Sequence, residues 1–285
     1  MKILVAGGTG YLGKHVLTEC AHRGHWVRAL ARNRQKLDEK KNETNEIIVG
    51  EITQPDSLRG CCDGMDVVFS SVGITKQSGK LTFRDVDFQG NVNLLKEAKQ
   101  AGVKMFVYVS VFNACNLLHL DIVKAHEDFV LELRASGLEY RVIRPTGYFS
   151  DMEEFLKMAK KGRVFLFGSG HNKINPIHGA DLAKFCLDTL HNEAKEVDIG
   201  GPDILSFREI AALAFQATSR KVKIFSVPQL LTSLLVKLVR LFHRHNGELL
   251  AFITTMSTTQ VVAQNQTGTH HLKDHYNDLC RGDDS

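Results

Sequence analysis

No Cys-x-x-Cys pair, internal repeat or low-complexity tract occurs in the 285 residues, and no apolar run reaches the length of about 20 needed to cross a membrane. Each absence removes a class of protein. The six cysteines, Cys20, Cys61, Cys62, Cys115, Cys186 and Cys280, follow no repeated spacing, which argues against a zinc site or a disulfide framework and for a reducing compartment. Vicinal Cys61 and Cys62 read as a redox pair or as neighbours left together at a helix end. A formal net charge of only +4 supplies no domain-wide basic field, so no nucleic acid is expected as a partner. Met1 to Ala6 already read as a buried strand running into a glycine loop, which leaves no room for a removable leader and predicts a cytoplasmic protein. In such a protein the triplets Asn42-Glu43-Thr44 and Asn265-Gln266-Thr267 carry no meaning as glycosylation acceptors.

What is present is an ordinary globular composition, 43% hydrophobic and 24% charged, enough for one large α/β domain or a domain and a half. Short apolar runs alternate with longer segments of helical period, the pattern of a parallel sheet covered on both faces. The strands are expected at Ile3-Ala6, Trp26-Ala31, Glu46-Val49, Val67-Ser70, Met105-Ser110 and Tyr140-Ile143, and the helices at Leu12-Arg23, Asp56-Cys62, Phe83-Ala101 and Ile122-Ala135. Gly24, Gly102 and Gly137 follow three of these helices, where a C-cap glycine is favoured. The fold class is therefore α/β, a Rossmann-type doubly wound parallel sheet over residues 1–145, with a small, mostly helical substrate lobe over 146–280. After Pro145 the rhythm breaks into shorter segments, a Gly168-Ser169-Gly170 turn and a lone strand near Val197-Ile199. A helix from about Gly179 to His191 is expected to return to the sheet, within a return of about 178–200, and residues 281–285, which include Arg281-Gly282-Asp283, to form a frayed tail.

The first strand runs into Gly7-Gly8-Thr9-Gly10-Tyr11-Leu12-Gly13 and then a helix. Gly7 permits a tight turn, Gly10 a close approach of the backbone to a pyrophosphate, and Gly13 packing of the helix on the strand. The helix start offers N–H groups and a positive dipole end to the phosphates, so Gly7, Thr9, Gly10, Tyr11, Leu12 and Gly13 are candidate cofactor-binding residues. An NAD-selective site usually shows an acid after the second strand; here Arg32 stands there, with Arg34 and Lys36 near. Either these grip a 2'-phosphate, which favours NADP(H) with NAD(H) possible, or they are solvated surface charges. Gly50-Glu51-Ile52 after strand three would face the adenine, and Ser71-Val72-Gly73 after strand four would pass beneath the adenine ribose.

The stretches GGTGYLGKHV, VDFQGNVNLLKEAKQAGVKMFVYVS, VKAHEDFV, SGLEYRVIRPTGYF, NPIHGADLAKF and DIGGP resemble an atypical short-chain dehydrogenase/reductase of the NmrA-like kind. The Arg-Pro-Thr segment, the Ile-Gly-Gly-Pro turn and the Val-Pro helix are similar to those of divinyl-chlorophyllide reductase-like proteins, over roughly residues 1–245. The resemblance implies a Tyr-x-x-x-Lys pair after strand five, but the lysine matches Lys124 and the tyrosine position holds Leu120. It further implies that Lys124 holds the nicotinamide ribose, that Ser110 takes the place of the family serine beside Val109, and that Pro145, Thr146 and Gly147 run beside the nicotinamide amide. Tyr148 is then the nearest replacement acid or a packing aromatic. Lys124 and Ser110 also read as a surface helix lysine and a strand-end serine, and His178, in Asn175-Pro176-Ile177-His178, as a substrate contact or a structural histidine near Asp181.

The run Val227–Phe242 carries a leucine stripe after a proline, flanked by Lys237, Arg240, His243, Arg244 and His245, and reads as core or lid packing or as peripheral membrane contact through residues 228–245. His271 and His275 have zinc-compatible spacing but lack a carboxylate in the metalloprotease pattern, so no metal is expected. The functional expectation is an NADPH-dependent reductase of an apolar small molecule; the alternative is a cofactor-binding sensor or assembly factor for a protein partner.

Overall fold

The structure, a computed structural model, describes residues 1–74 and 81–283. In chain order the elements are β1 (Lys2–Ala6), α1 (Tyr11–His22), β2 (Trp26–Ala31), β3 (Glu46–Val49), β4 (Val67–Ser70), α2 (Asn91–Gln100), β5 (Met105–Val109), α3 (Asp121–Ala135), β6 (Glu139–Pro145), α4 (Phe149–Lys160), β7 (Val164–Phe167), β8 (Lys173–Ile174), α5 (Gly179–Asp188), β9 (Glu196–Ile199), β10 (Leu205–Ser206), α6 (Phe207–Ala217), β11 (Ile224–Val227), α7 (Gln229–Phe242), α8 (Arg244–Thr258) and α9 (Leu272–Asp283). They fall into two compact units, the first comprising Met1–Arg144 and Leu182–Val197, the second Pro145–Asp181 and Asp198 onward. The chain comes back to the first unit with residues 182–197, and β9 continues to Ile199 in the main sheet.

The seven-stranded sheet has the order β3-β2-β1-β4-β5-β6-β9, and its strands β1 to β6 pair in parallel. Strands in such a sheet are buried on both faces, which is why Ile3, Leu4, Val5 and Ala6 form an unbroken apolar run with no exposed surface. Helices connect consecutive strands, α1 after β1, α2 before β5 and α3 before β6, each with a buried apolar stripe. Gly24, Gly102 and Gly137 close these three helices at φ of 72°, 68° and 82°. The order of strands reverses between β1 and β4, and ligands of open α/β sheets bind outside the carboxyl ends at that reversal.

Three segments differ from expectation. The helix expected over Asp56-Cys62 is a single 3-10 turn, Pro55–Leu58, ended by Gly60 in the left-handed region at φ 72°. The helix expected from Phe83 opens with a wide π-helical stretch, Arg84–Gly90, before α2; Asn91 there donates to the Asp87 carbonyl at 2.8 Å and accepts from the Ser70 hydroxyl at 2.6 Å. The supposed lone strand near Val197-Ile199 is β9, beside β6 in the main sheet.

In the second unit α4, α6 and α9 bury Phe149, Phe207, Ile210, Phe215, Leu272 and Tyr276. The Tyr276 hydroxyl donates to the Met152 carbonyl at 2.6 Å, and a capping box between Ser206 and Glu209 starts α6. Two small sheets, β8 with β10 and β7 with β11, complete it along with α7 and α8. Of the tail expected over 281–285, residues 281–283 are the last turn of α9, and residues 284–285 lie outside the described residues. No helix among the described residues is long and apolar enough to cross a membrane.

Candidate dinucleotide-binding site

Beyond Ala6 the chain turns at Gly7, whose φ of +89° suits glycine, and the Gly7 carbonyl accepts from the Gly10 N–H at 2.9 Å. A Cβ on Gly7 would lie 2.8 Å from the Ser71 hydroxyl, and one on Gly13 would lie 2.0 Å from the Gly7 carbonyl oxygen. The loop is therefore closed on itself so tightly that α1 starts against it with no room for side chains. Gly10 is the N-cap of α1 and contributes no side-chain cap, and no acid stands in the first turn. The first N–H groups of a helix have no acceptor within it, so this end presents donors and a positive dipole to an anion. A Cβ on Gly10 would meet only the Gly7 carbonyl oxygen, at 3.3 Å, so this glycine faces open space rather than packing.

Gly7, Thr9, Gly10, Arg32, Glu51, Ile52, Ser71, Val72 and Gly73, gathered from the ends of four strands, line one cleft of about 260 Å³. Leu30, Ile74, Leu81 and Val86 give it an apolar wall suited to a flat base. An adjoining hollow beside the loop is lined by Thr9, Gly10, Tyr11, Lys14, His15 and Lys40. Leu12 is buried and Gly13 is packed against the loop, so these two offer backbone rather than side chains. Arg32 is 61% exposed, with Nη1 a loose 3.7 Å from the Glu51 carboxylate. Such an exposed pair is worth at most about 1 kcal/mol and holds the guanidinium only weakly. Arg34 and Lys36 are exposed on the following 3-10 stretch. The side-chain-free cradle, the helix end and the apolar wall together fit a dinucleotide.

At the end of β5 the arrangement differs. Ser110 is buried, its hydroxyl donating to Glu127 at 2.7 Å. Glu127 is also gripped by Arg144, at 3.1 Å through Nε and 2.8 Å through a terminal nitrogen. Arg144 reaches on to Glu196 at 2.8 Å, and Arg134 forks onto the same carboxylate at 2.6 and 2.7 Å. The hydrogen bonds from Arg134 hold the Glu196 carboxyl below its ordinary range. Lys124 is 58% exposed and donates to Asp128 at 2.8 and 3.0 Å. Leu120 is buried at the N-cap of α3, and Val109 is buried in β5.

Pro145, Thr146, Gly147, Tyr148 and His178 belong to the second unit. Thr146 is buried, its hydroxyl donating to the Asn175 carbonyl at 2.6 Å, and Gly147 accepts from the Ile177 N–H at 2.9 Å. Tyr148 is the N-cap of α4. His178 stacks on His270, with centroids 4.2 Å apart, and its Nδ1 accepts from the Ala180 N–H at 3.3 Å. Asp181, in the first turn of α5, binds the His270 ring at 2.9 Å and accepts from the backbone N–H groups of Thr269 and His270. His271 faces Asp203 at 2.9 Å and His275 faces Glu153 at 3.2 Å.

Sequence reasoning missed a buried chain against the cleft wall. Tyr108 meets His126 Nδ1 at 2.6 Å through its hydroxyl, and His126 Nε2 lies 3.1 Å from Asp87 Oδ1. That last contact is close but not aligned as a hydrogen bond, which leaves the fully buried Asp87 oxygen without an aligned donor. Burial pushes the Asp87 carboxyl above its ordinary range, with His126 pulling the other way. A Cβ on Gly73 would lie 2.9 Å from the same oxygen. The signal was available: His126 shares the stripe of Ile122, Phe129, Val130 and Leu133, and Asp87 lies one helical turn from Phe83 and Asn91, so both are polar residues on core-facing positions. Lys14 and His15 were legible too, directly after Gly13.

A profile described as NAD(P)H-binding matches residues 7–193. The photosystem II assembly factor Ycf39 of Trieres chinensis is 26% identical over 85% of this chain and 77% of its own length. The chloroplastic divinyl chlorophyllide a 8-vinyl-reductase of Arabidopsis thaliana is 30% identical over 80% of this chain and 60% of its own. Among solved structures, the Citrobacter sp. triphenylmethane reductase complexed with NADP(H) superposes with a TM-score of 0.73 at 18% identity, covering 98% of this chain and all of that one, a likeness of fold.

Proposed function

The chain belongs to the NAD(P)H-binding family, and from that premise we propose that it is a reductase that prefers NADP(H) and acts on an apolar small molecule. The observation that carries this reading is the side-chain-free cradle at Gly7, Gly10 and Gly13, opening on a cleft with Arg32 at its rim. Arg32 is a forked donor on a loose tether, which suits capture of a 2'-phosphate, and NAD(H) lacks that group. Glu51, Ile52, Ser71, Val72 and Gly73 would then enclose the adenosine half.

Bound NADPH supplies a hydride; the proton must come from elsewhere. With leucine at position 120, the acid usual for carbonyl reduction is missing. A conjugated alkene tolerates this loss better than a ketone does. Hydride addition at one carbon leaves a delocalised carbanion at the other, which solvent or a weakly acidic side chain can protonate. The Arabidopsis relative, by its name, reduces a vinyl group. Tyr108, His126 and Asp87 form a chain of proton-carrying groups against the cleft wall and are positioning candidates for such a step. All six cysteines are free.

Calorimetry with NADPH, NADP, NADH and NAD tests the binding: the phosphorylated pair should bind at least about tenfold more tightly, and heat from none of the four overturns it. Loss of NADPH absorbance with a panel of conjugated alkenes and carbonyls tests the turnover. A second reading, cofactor binding without turnover in the service of a protein partner, is favoured by Ser110 and Lys124 being engaged with Glu127 and Asp128. Two observations lend it weight: Leu120 carries no proton, and the Trieres relative is named an assembly factor. Tight binding with no oxidation across the panel would select it.

A further inference from the structure

Helix α7 is amphipathic in the wrong direction for a packed helix. Thr232 and Val236 are its only buried residues, and they face inward. Leu230, Leu231, Leu234, Leu238, Leu241 and Phe242 are exposed by 86%, 57%, 63%, 52%, 78% and 71% of their surface. At 100° per residue these six fall within one arc of about 120° along a helix about 21 Å long. The apolar face therefore points to solvent as a continuous strip, where single exposed leucines would need no explanation. On the strands β7 and β11, Phe165 and Phe225 stack at 5.5 Å, each about half exposed, and β11 leads directly into α7.

The charge around this strip has one sign. Residues 210–247 contain six arginines and lysines and no aspartate or glutamate. Arg220, Lys221 and Lys223 are exposed just before β11, as are Lys237 and Arg244 on and after α7. Arg240 is paired with Glu248 from α8 at 2.9 Å, so the rim rests on Arg220, Lys221, Lys223 and Lys237. Whole-chain charge is only +4, so this segment concentrates cation beside the exposed leucines. No helix among the described residues can span a bilayer, and α7 has the make-up of one that lies in its surface.

We infer that the α7 face of the second unit docks on an anionic lipid bilayer, with the leucines and Phe242 among the upper acyl chains and the lysines and arginines among the headgroup phosphates. A protein partner or a second copy would also cover leucines. A rim with cations in excess complements an anionic surface, and two copies of it would repel one another. This docking does not depend on the cofactor reading.

The test is co-sedimentation of the full chain with vesicles of phosphatidylcholine alone and of phosphatidylcholine with one-third phosphatidylglycerol. The wild type should bind the mixed vesicles at least about tenfold more strongly than the neutral ones, and half-molar salt should remove that preference. The triple variant Leu230→Gln, Leu234→Gln, Leu241→Gln changes only surface side chains and should lose about 100-fold in binding while keeping its circular dichroism and its affinity for NADPH. The triple variant Lys221→Gln, Lys223→Gln, Lys237→Gln should lose the preference for mixed vesicles. Failure of the wild type to bind mixed vesicles, equal binding to both compositions, or binding untouched by the leucine substitutions overturns the inference. So does a wild-type dimer that the leucine variant converts to monomer without either protein binding vesicles, because the face would then be covered by a second copy.

Discussion

The turn after β1 and the segment after β5 both leave a parallel sheet at its carboxyl edge, and they are built in opposite ways. The first is bare at Gly7, Gly10 and Gly13, where main-chain N–H groups and a helix end face outward, with Thr9, Tyr11, Lys14 and His15 beside them. The second is crowded with charges, but those charges answer one another: Ser110 to Glu127, Glu127 to Arg144, Arg144 to Glu196, Lys124 to Asp128. A bare helix start offers its N–H groups outward, whereas the charges after β5 are spent on one another. Both segments lie in the first unit, and the contrast is between a turn whose main-chain donors point outward and a segment whose side chains are already paired with one another.

The largest expected effect separates packing from binding within the cradle. Gly13→Val forces side-chain atoms into the Gly7 carbonyl and should cost upwards of about 4 kcal/mol in urea unfolding, enough to leave the chain largely unfolded. Gly10→Val meets a single 3.3 Å contact and should fold near-normally yet lose NADPH in calorimetry. If both variants fold, or both unfold, the distinction drawn between the two glycines is lost. Next in size, Arg144→Met leaves the Glu127 carboxylate without a cation, while Glu196 keeps Arg134, and should destabilise the chain by about 3 kcal/mol; a loss under about 1 kcal/mol would show that the network after β5 contributes little rigidity. Arg32→Asp should weaken NADPH by about 2 kcal/mol more than NADH, and equal weakening would remove Arg32 from phosphate recognition.

The smallest effect concerns pH. Because the folded Glu196 carboxyl sits below its ordinary range, the folded state binds that proton less readily than the unfolded one. Its contribution is present above the unfolded value of about 4.3 and fades as pH falls through the lower folded value. Glu196→Gln should therefore flatten the acid limb of the stability curve by about 0.5 kcal/mol, a modest figure because solvent screens the pair. An unchanged acid limb would mean the Arg134 fork adds nothing in solution.

The cradle was readable in the sequence because its requirement is local: a strand, glycines at three fixed offsets and a helix, all within the first 22 residues. The strand-end residues Arg32, Glu51 and Ser71 were readable for a related reason, since alternation of strands and helices alone brings carboxyl ends together. Partnerships across the fold were not. Ser110 and Glu127, or Asp87 and His126, are joined only when α3 lies down on the sheet, and no spacing rule links positions 17 or 39 residues apart on different elements. The leucine stripe of α7 was visible as a stripe, but periodicity reveals an apolar face without revealing whether it turns inward or outward.

The interruption of the first unit by residues 145–181 governs how the molecule emerges from a ribosome. Strand β6 is complete at Pro145, but its outer neighbour β9 begins only at Glu196. At synthesis rates of about 5–20 residues per second, the nascent sheet carries an unpaired rim for about 3–10 s. During that interval a bare strand edge can recruit the wrong partner. Arg144, one residue from the end of β6, holds one of the two acids needed to fix it, Glu127, and must await the other, Glu196, until β9 arrives and closes the rim.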